Sequence, residues 1–130
     1  MSQYIQESNF FDWLYWPVLR FRNQFRIYKG TPIEYTIQLE YDHKAKEGEN
    51  GDWIPVVRFD HNAEGPHDVT EEGVHMDRFV YTGHGSKKLD EKEWDFEEIN
   101  AQNLENIPRA CKLFVELNIE TLMRRFYYGH

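Results

Sequence analysis

Cys111 is the chain's single cysteine, so no intrachain disulfide can form. A reduced, cytoplasmic setting is the expectation that follows. Long apolar runs are missing too. The longest, Phe10-Phe11 and then Trp13–Val18, falls far short of the roughly 20 residues a membrane span needs. No basic stretch leads into an apolar one near residue 1, so no secretory signal is expected. Internal repeats and low-complexity tracts are absent, which excludes solenoids and arrays. What remains, 130 residues, fits one α+β domain over 1–130. Aromatics are abundant at 16%, which implies a bulky core, an aromatic interface or both.

The net charge of −8 is unevenly spread. Residues 1–30 and 108–130 each carry +2, while 31–107 carry −12. A polyanion is therefore disfavoured as a partner globally, though a local basic face is not excluded. A basic protein partner fits the field better, and plain solubility fits it as well.

Ser8-Asn9 precedes the aromatic run Phe10-Phe11-Asp12-Trp13-Leu14-Tyr15-Trp16, and Pro17 follows. Ser8 can cap a short helix and Pro17 can end it. Apolar nearly all round, the segment either is buried on several sides or docks onto a second chain. A homodimer through residues 10–16 is one expectation.

Residues 18–28 alternate: Leu19, Phe21, Phe25 and Ile27 are odd, and Arg20, Arg22, Gln24 and Arg26 are even. Residues 33–42 alternate in the same sense, with Ile33, Tyr35, Ile37, Leu39 and Tyr41 odd. Period two marks both as strands. Lys29-Gly30-Thr31-Pro32 between them predicts a hairpin. Both apolar faces must meet one core, so odd pairs with odd. A loop at 30–32 sets Arg22 opposite Glu40 and Arg20 opposite Asp42. Such pairing would neutralise much of an arginine stripe otherwise suited to phosphates.

Residues 53–60 predict a third strand, covered on both faces, with Pro55 marking an edge or a bulge. Arg78–Tyr81 predicts a fourth. Residues 86–106 are charged and poorly periodic, pinned by Trp94 and Phe96. Asn106 and Pro108 open a helix whose apolar spacing runs from Ala110 to about 127. The expected architecture is a small antiparallel sheet of about four strands, covered by a C-terminal helix, with a short N-terminal aromatic helix.

Chemically capable residues concentrate at Arg58-Phe59-Asp60-His61-Asn62-Ala63-Glu64-Gly65-Pro66-His67-Asp68. Arg58 and Asp60 share one strand face, and Gly65-Pro66 can turn His67 back toward them. Three readings stand side by side. Arg58, Asp60 and His67 can form a catalytic cluster that moves protons and stabilises a developing phosphorane charge. Asp60, His61, His67 and His75 can ligate a divalent metal, although their spacing matches no standard zinc motif. Or Arg58 and Asp60 are a structural pair, with His67 satisfied by backbone. Cys111, in the first turn of the last helix, is either a stabilised thiolate or a buried core residue. Arg124–Tyr128 suits either single-stranded nucleic acid or a packed helix end.

Across residues 35–68 the chain resembles the small TumE-type toxin family of toxin–antitoxin modules and related small proteins. The resemblance is carried by Tyr35-Thr36-Ile37-Gln38-Leu39-Glu40-Tyr41, then Val56-Val57-Arg58-Phe59-Asp60, then Gly65-Pro66-His67-Asp68. It departs from that pattern at His61, where Asn tends to follow the Asp, and in having one histidine, not two, after the Gly. A second imidazole must then come from His61, His75 or His84. The resemblance implies an RNA- or translation-directed toxin partnered by an antitoxin, with a small ribonuclease as one form of it. Arg58 would meet phosphate, His67 would transfer protons and Asp60 would orient. No cofactor is expected beyond a divalent metal, for which His61 and His75 are candidates. The competing expectation is a non-catalytic interaction module using residues 10–16 and the acidic middle.

Overall fold

Lys29 and Gly30 both have positive φ, 49° and 80°, which is what a two-residue primed hairpin turn requires. They join β2 (Leu19–Tyr28) to β3 (Thr31–Asp42) in a computed structural model that describes residues 5–15, 18–45, 48, 51–65 and 67–129. A bulge at Ile33 shifts the register, so that Arg26 faces Glu34, Arg22 faces Gln38 and Arg20 faces Glu40. The expected pairing, Arg22 with Glu40 and Arg20 with Asp42, is displaced by two residues. The turn at 29–30 alone would displace it by three, and the bulge gives one residue back. Odd still pairs with odd, so the apolar faces coincide.

β2 and β3 lie within a six-stranded antiparallel meander ordered β1-β2-β3-β4-β5-β6. The others are β1 (Ile5–Tyr15), β4 (Trp53–Asn62), β5 (Met76–Tyr81) and β6 (Ser86–Glu93). Short helices α1 (Val69–Glu72) and α2 (Glu97–Asn100) interrupt the chain, and α3 (Ile107–Leu117) and α4 (Ile119–Tyr128) follow it.

The expected four-strand sheet with an N-terminal aromatic helix and one C-terminal helix is therefore overturned in three places. The aromatic run of residues 10–15 is part of strand β1, while Trp16 and Pro17 lie outside the described residues. Its lack of a polar face has a different cause from the one expected. Phe10 stacks on Phe25 at 5.9 Å, and its neighbour Asp12 takes Lys112 of α3 at 2.9 Å. Phe11 and Trp13 point the other way, toward the guanidinium of Arg20, at 3.8 and 5.9 Å. The charged stretch 86–93 is edge strand β6, whose two wet faces leave no alternation to read. The C-terminal helix is two helices, broken at Asn118, whose side-chain amide donates to the Phe114 carbonyl at 2.8 Å.

The helices cover one face only. Phe21, Ile37, Leu39, Tyr41 and Phe59 meet Ile107, Cys111, Val115, Leu122 and Phe126 in a single buried cluster. Cys111 is fully buried and burial raises its pKa, so it packs as an apolar residue. The Tyr127 hydroxyl donates to that of Tyr41, and Arg125 reaches Glu93 at 2.9 Å, tying α4 to β3 and β6. Phe126 is 1% exposed, against Tyr41 and Tyr81, whereas Leu117 is 75% exposed. Phe126→Ala should lower the unfolding free energy by about 3–5 kcal/mol, and Leu117→Ala should change it by no more than about 0.5 kcal/mol. Urea unfolding of the two variants checks this.

Candidate functional site

The uncovered face carries the even residues of β2 and β3 and is strongly polar. Arg20 is held there between the Phe11 and Trp53 rings, at 3.8 and 4.0 Å, and pairs with Glu40 at 2.9 Å. Arg26 pairs with Glu34 at 3.0 Å. Arg22 has no ion pair among the described residues. With Gln24, Thr36, Gln38, Arg58 and Asp60 it lines a shallow polar hollow of about 260 Å³.

Arg58 and Asp60 stand two apart on β4, which places them on one side of the sheet. Arg58 Nε donates to Asp60 at 3.1 Å, and one terminal nitrogen donates to Asp77 of β5 at 3.3 Å. Arg58 and Asp77 are direct cross-strand partners. Asp60 also accepts from the Thr36 hydroxyl at 3.0 Å. Asp77 is 1% exposed, yet Lys88 and Lys92 of β6 lie 3.7 and 3.8 Å from it. A carboxylate out of water needs such company. Its Oδ1 has no hydrogen-bond partner.

The segment after β4 folds back over this row. Asn62 N–H donates to the His67 carbonyl at 3.0 Å and closes the turn. Gly65 sits so close to Asn62 that an added Cβ would lie 2.9 Å from its amide nitrogen. Asp68 then caps α1, accepting from Thr70 N–H at 2.9 Å, and Gly73, at φ 87°, ends it. This turn of helix brings Glu72 to 3.5 Å from His67 Nδ1.

His75 enters beneath that pair. Its ring centroid lies 5.1 Å from that of His67 and 4.9 Å from that of Trp94, which is 47% exposed. His75 is 1% exposed and neither ring nitrogen has a hydrogen-bond partner. Burial lowers its pKa, and Lys92 adds to the effect while Asp77 opposes it. His67, Glu72 and His75 bring three ligand atoms within 4.8 Å of one another, and so do Asp60, His75 and Asp77.

Of the residues singled out in the sequence, Arg58, Asp60, His67 and His75 thus lie in one neighbourhood. His61 does not belong to it. One residue off the Asp60 face, it turns into the core, its ring 5.3 Å from that of Tyr35. Its Nδ1 accepts the Val69 N–H at 3.2 Å. His84 is exposed in the β5–β6 turn. Glu72, Asp77, Lys88, Lys92 and Trp94 are site neighbours that the sequence reading passed over. His75-Met76-Asp77 carried a usable signal, since two residues apart on a strand share a face. The fourth strand was expected to begin only at Arg78.

His61 yields a pH prediction. Burial depresses its pKa below the usual 6.5, outweighing the nearby Asp68 carboxylate. Below about pH 6.5 the unfolded chain therefore binds a proton that the folded chain resists, and stability falls as pH falls. Protonating Nδ1 would also remove the acceptor for Val69. The thermal midpoint should drop between pH 7.5 and 5.5, and His61→Asn, which retains an acceptor near Nδ1, should flatten that drop. Melts at both pH values check it.

Comparison with known proteins finds one family. The sequence model of a Domain of unknown function (DUF7718) matches residues 5–130. No curated protein and no solved structure matches the chain.

Proposed function

The chain belongs to the DUF7718 family, and from the cluster on its uncovered face we propose that it is a small, cytoplasmic, RNA-directed toxin that cleaves phosphodiesters and is restrained by a protein antitoxin. One observation carries the reading: Arg58, Lys88 and Lys92 converge around Asp77 next to the His67–His75 pair, in a protein that is acidic as a whole. A polyanion finds little attraction elsewhere on residues 31–107, so local cations decide where it docks.

In this reading Arg58, whose remaining terminal nitrogen is unengaged among the described residues, meets the phosphate with Lys88 and Lys92 beside it. Asp60 orients the guanidinium. The imidazole pair activates the attacking oxygen, with His67 at the surface and His75 behind it. Trp94 offers an exposed ring for a base to stack on, and the hollow at Arg22 continues the track. RNA is preferred over other polyanions because residues 35–68 resemble TumE-type toxins. Purified protein should cleave a labelled single-stranded RNA, and His67→Ala should slow cleavage by about 10²–10⁴-fold with little change in thermal midpoint. Intact RNA with the wild-type protein, or full activity in His67→Ala, would sink the reading.

A second reading has its own observation. β1 is an edge strand, and Phe10, Phe11, Trp13 and Tyr15 are 41–57% exposed along it. β6, the other edge, is protected by lysines and glutamates, but the β1 edge carries little charge. Through β1 the chain would pair with a second copy or a partner strand, as a non-catalytic interaction module. Light scattering should then show a dimer that Phe11→Asp dissociates. A monomer at high concentration would end this reading for self-association.

A further inference from the structure

We infer that His67, Glu72 and His75 form a binding site for one divalent transition-metal ion, zinc or a chemically similar ion. The inference replaces the proton-transfer role given above to the imidazole pair with metal ligation; it rests on geometry and stands whether or not RNA is the substrate.

Two imidazoles and one carboxylate are the ligand set of a borderline-soft cation with positions left open for water or substrate. Here their ligand atoms already lie within 4.8 Å of one another. A bound zinc ion would draw them to roughly 3.3 Å apart, given ligand bonds of about 2.0–2.1 Å. His67 and Glu72 have 42% and 34% exposed side chains and are free to make that short movement.

The independent sign is His75. An imidazole 1% exposed with both nitrogens unpartnered is a costly arrangement, because a buried polar group normally finds a partner. A metal at one nitrogen would resolve half of the deficit. Asp60 and Asp77 have oxygens within 4.8 Å of a His75 ring nitrogen and put carboxylates beside the ring. Ligating histidines usually find such a carboxylate behind them.

The alternative triad of Asp60, His75 and Asp77 is a poorer cation site. Arg58, Lys88 and Lys92 all lie within 3.8 Å of Asp77 and would repel an ion bound there. Glu72 brings a carboxylate to the outer site, and among the described residues no lysine or arginine lies within ion-pair distance of it. Imidazole as the majority ligand argues against calcium or magnesium.

The test uses the full chain stripped with EDTA, titrated with Zn²⁺ by calorimetry and with Co²⁺ by visible absorption. One ion per chain is expected. His67→Ala and Glu72→Gln, both near the surface, should each weaken binding at least about tenfold while keeping the wild-type circular dichroism spectrum. His84→Ala should bind as the wild type does, and Mg²⁺ should not compete. No stoichiometric Zn²⁺ binding, unchanged affinity in the two variants, or an equal loss in His84→Ala would each overturn the site. RNA cleavage that persists in EDTA without Zn²⁺ binding would remove the metal and leave the phosphodiester reading intact. Zn²⁺ binding without cleavage would do the reverse.

Discussion

A sheet covered on one side must keep its other side wet, and most of this molecule follows from that constraint. The odd residues of β2 and β3 bury beneath α3 and α4, so the even ones are obliged to be polar. Charges fixed on a flat surface then settle into pairs across the strands. Arg20 with Glu40, Arg26 with Glu34 and Arg58 with Asp60 and Asp77 are the result. Pairs of this kind add little stability at the surface. They do leave each unpaired group conspicuous.

At the candidate site Asp77 and His75 stand out for their burial. Both are almost fully buried, and both keep polar atoms without hydrogen bonds. They sit at the start of β5, where the chain returns from the turn at Gly65 and the single helical turn of α1. That return is set by short-range chemistry: the close approach at Gly65, the Asp68 cap and the left-handed Gly73. The candidate site therefore draws most of its residues from the stretch between Arg58 and Asp77, with β6 adding lysines from outside.

Local alternation was enough to read β2 and β3 from the residues, because one face of each meets a uniform core; β4 was read from an apolar run expected to be covered on both faces, and only one face of it meets the core. Alternation was also enough to put Arg58 and Asp60 on a common face and to single out His67. Three kinds of error had physical sources. β1 has aromatics on both faces, some against the core and some around Arg20, so no period could show. β6 lies at an edge, where solvent imposes no pattern. The pairing register depended on one bulge at Ile33, which no residue type announces. Lys88 and Lys92 were missed for the second reason, and Asp77 because the fourth strand was expected to begin only at Arg78.

Chain order carries one more consequence. Every strand precedes the two helices that cover the sheet, and Tyr127 must travel back to Tyr41 to close the layer. On a ribosome the meander would emerge with Phe21, Ile37, Leu39 and Phe59 bare. The apolar face would stay uncovered until residues 107–128 had cleared the exit tunnel. A nascent chain held at about residue 100 would thus present a half-finished sandwich, and its fate would depend on whatever chaperone covers that face first.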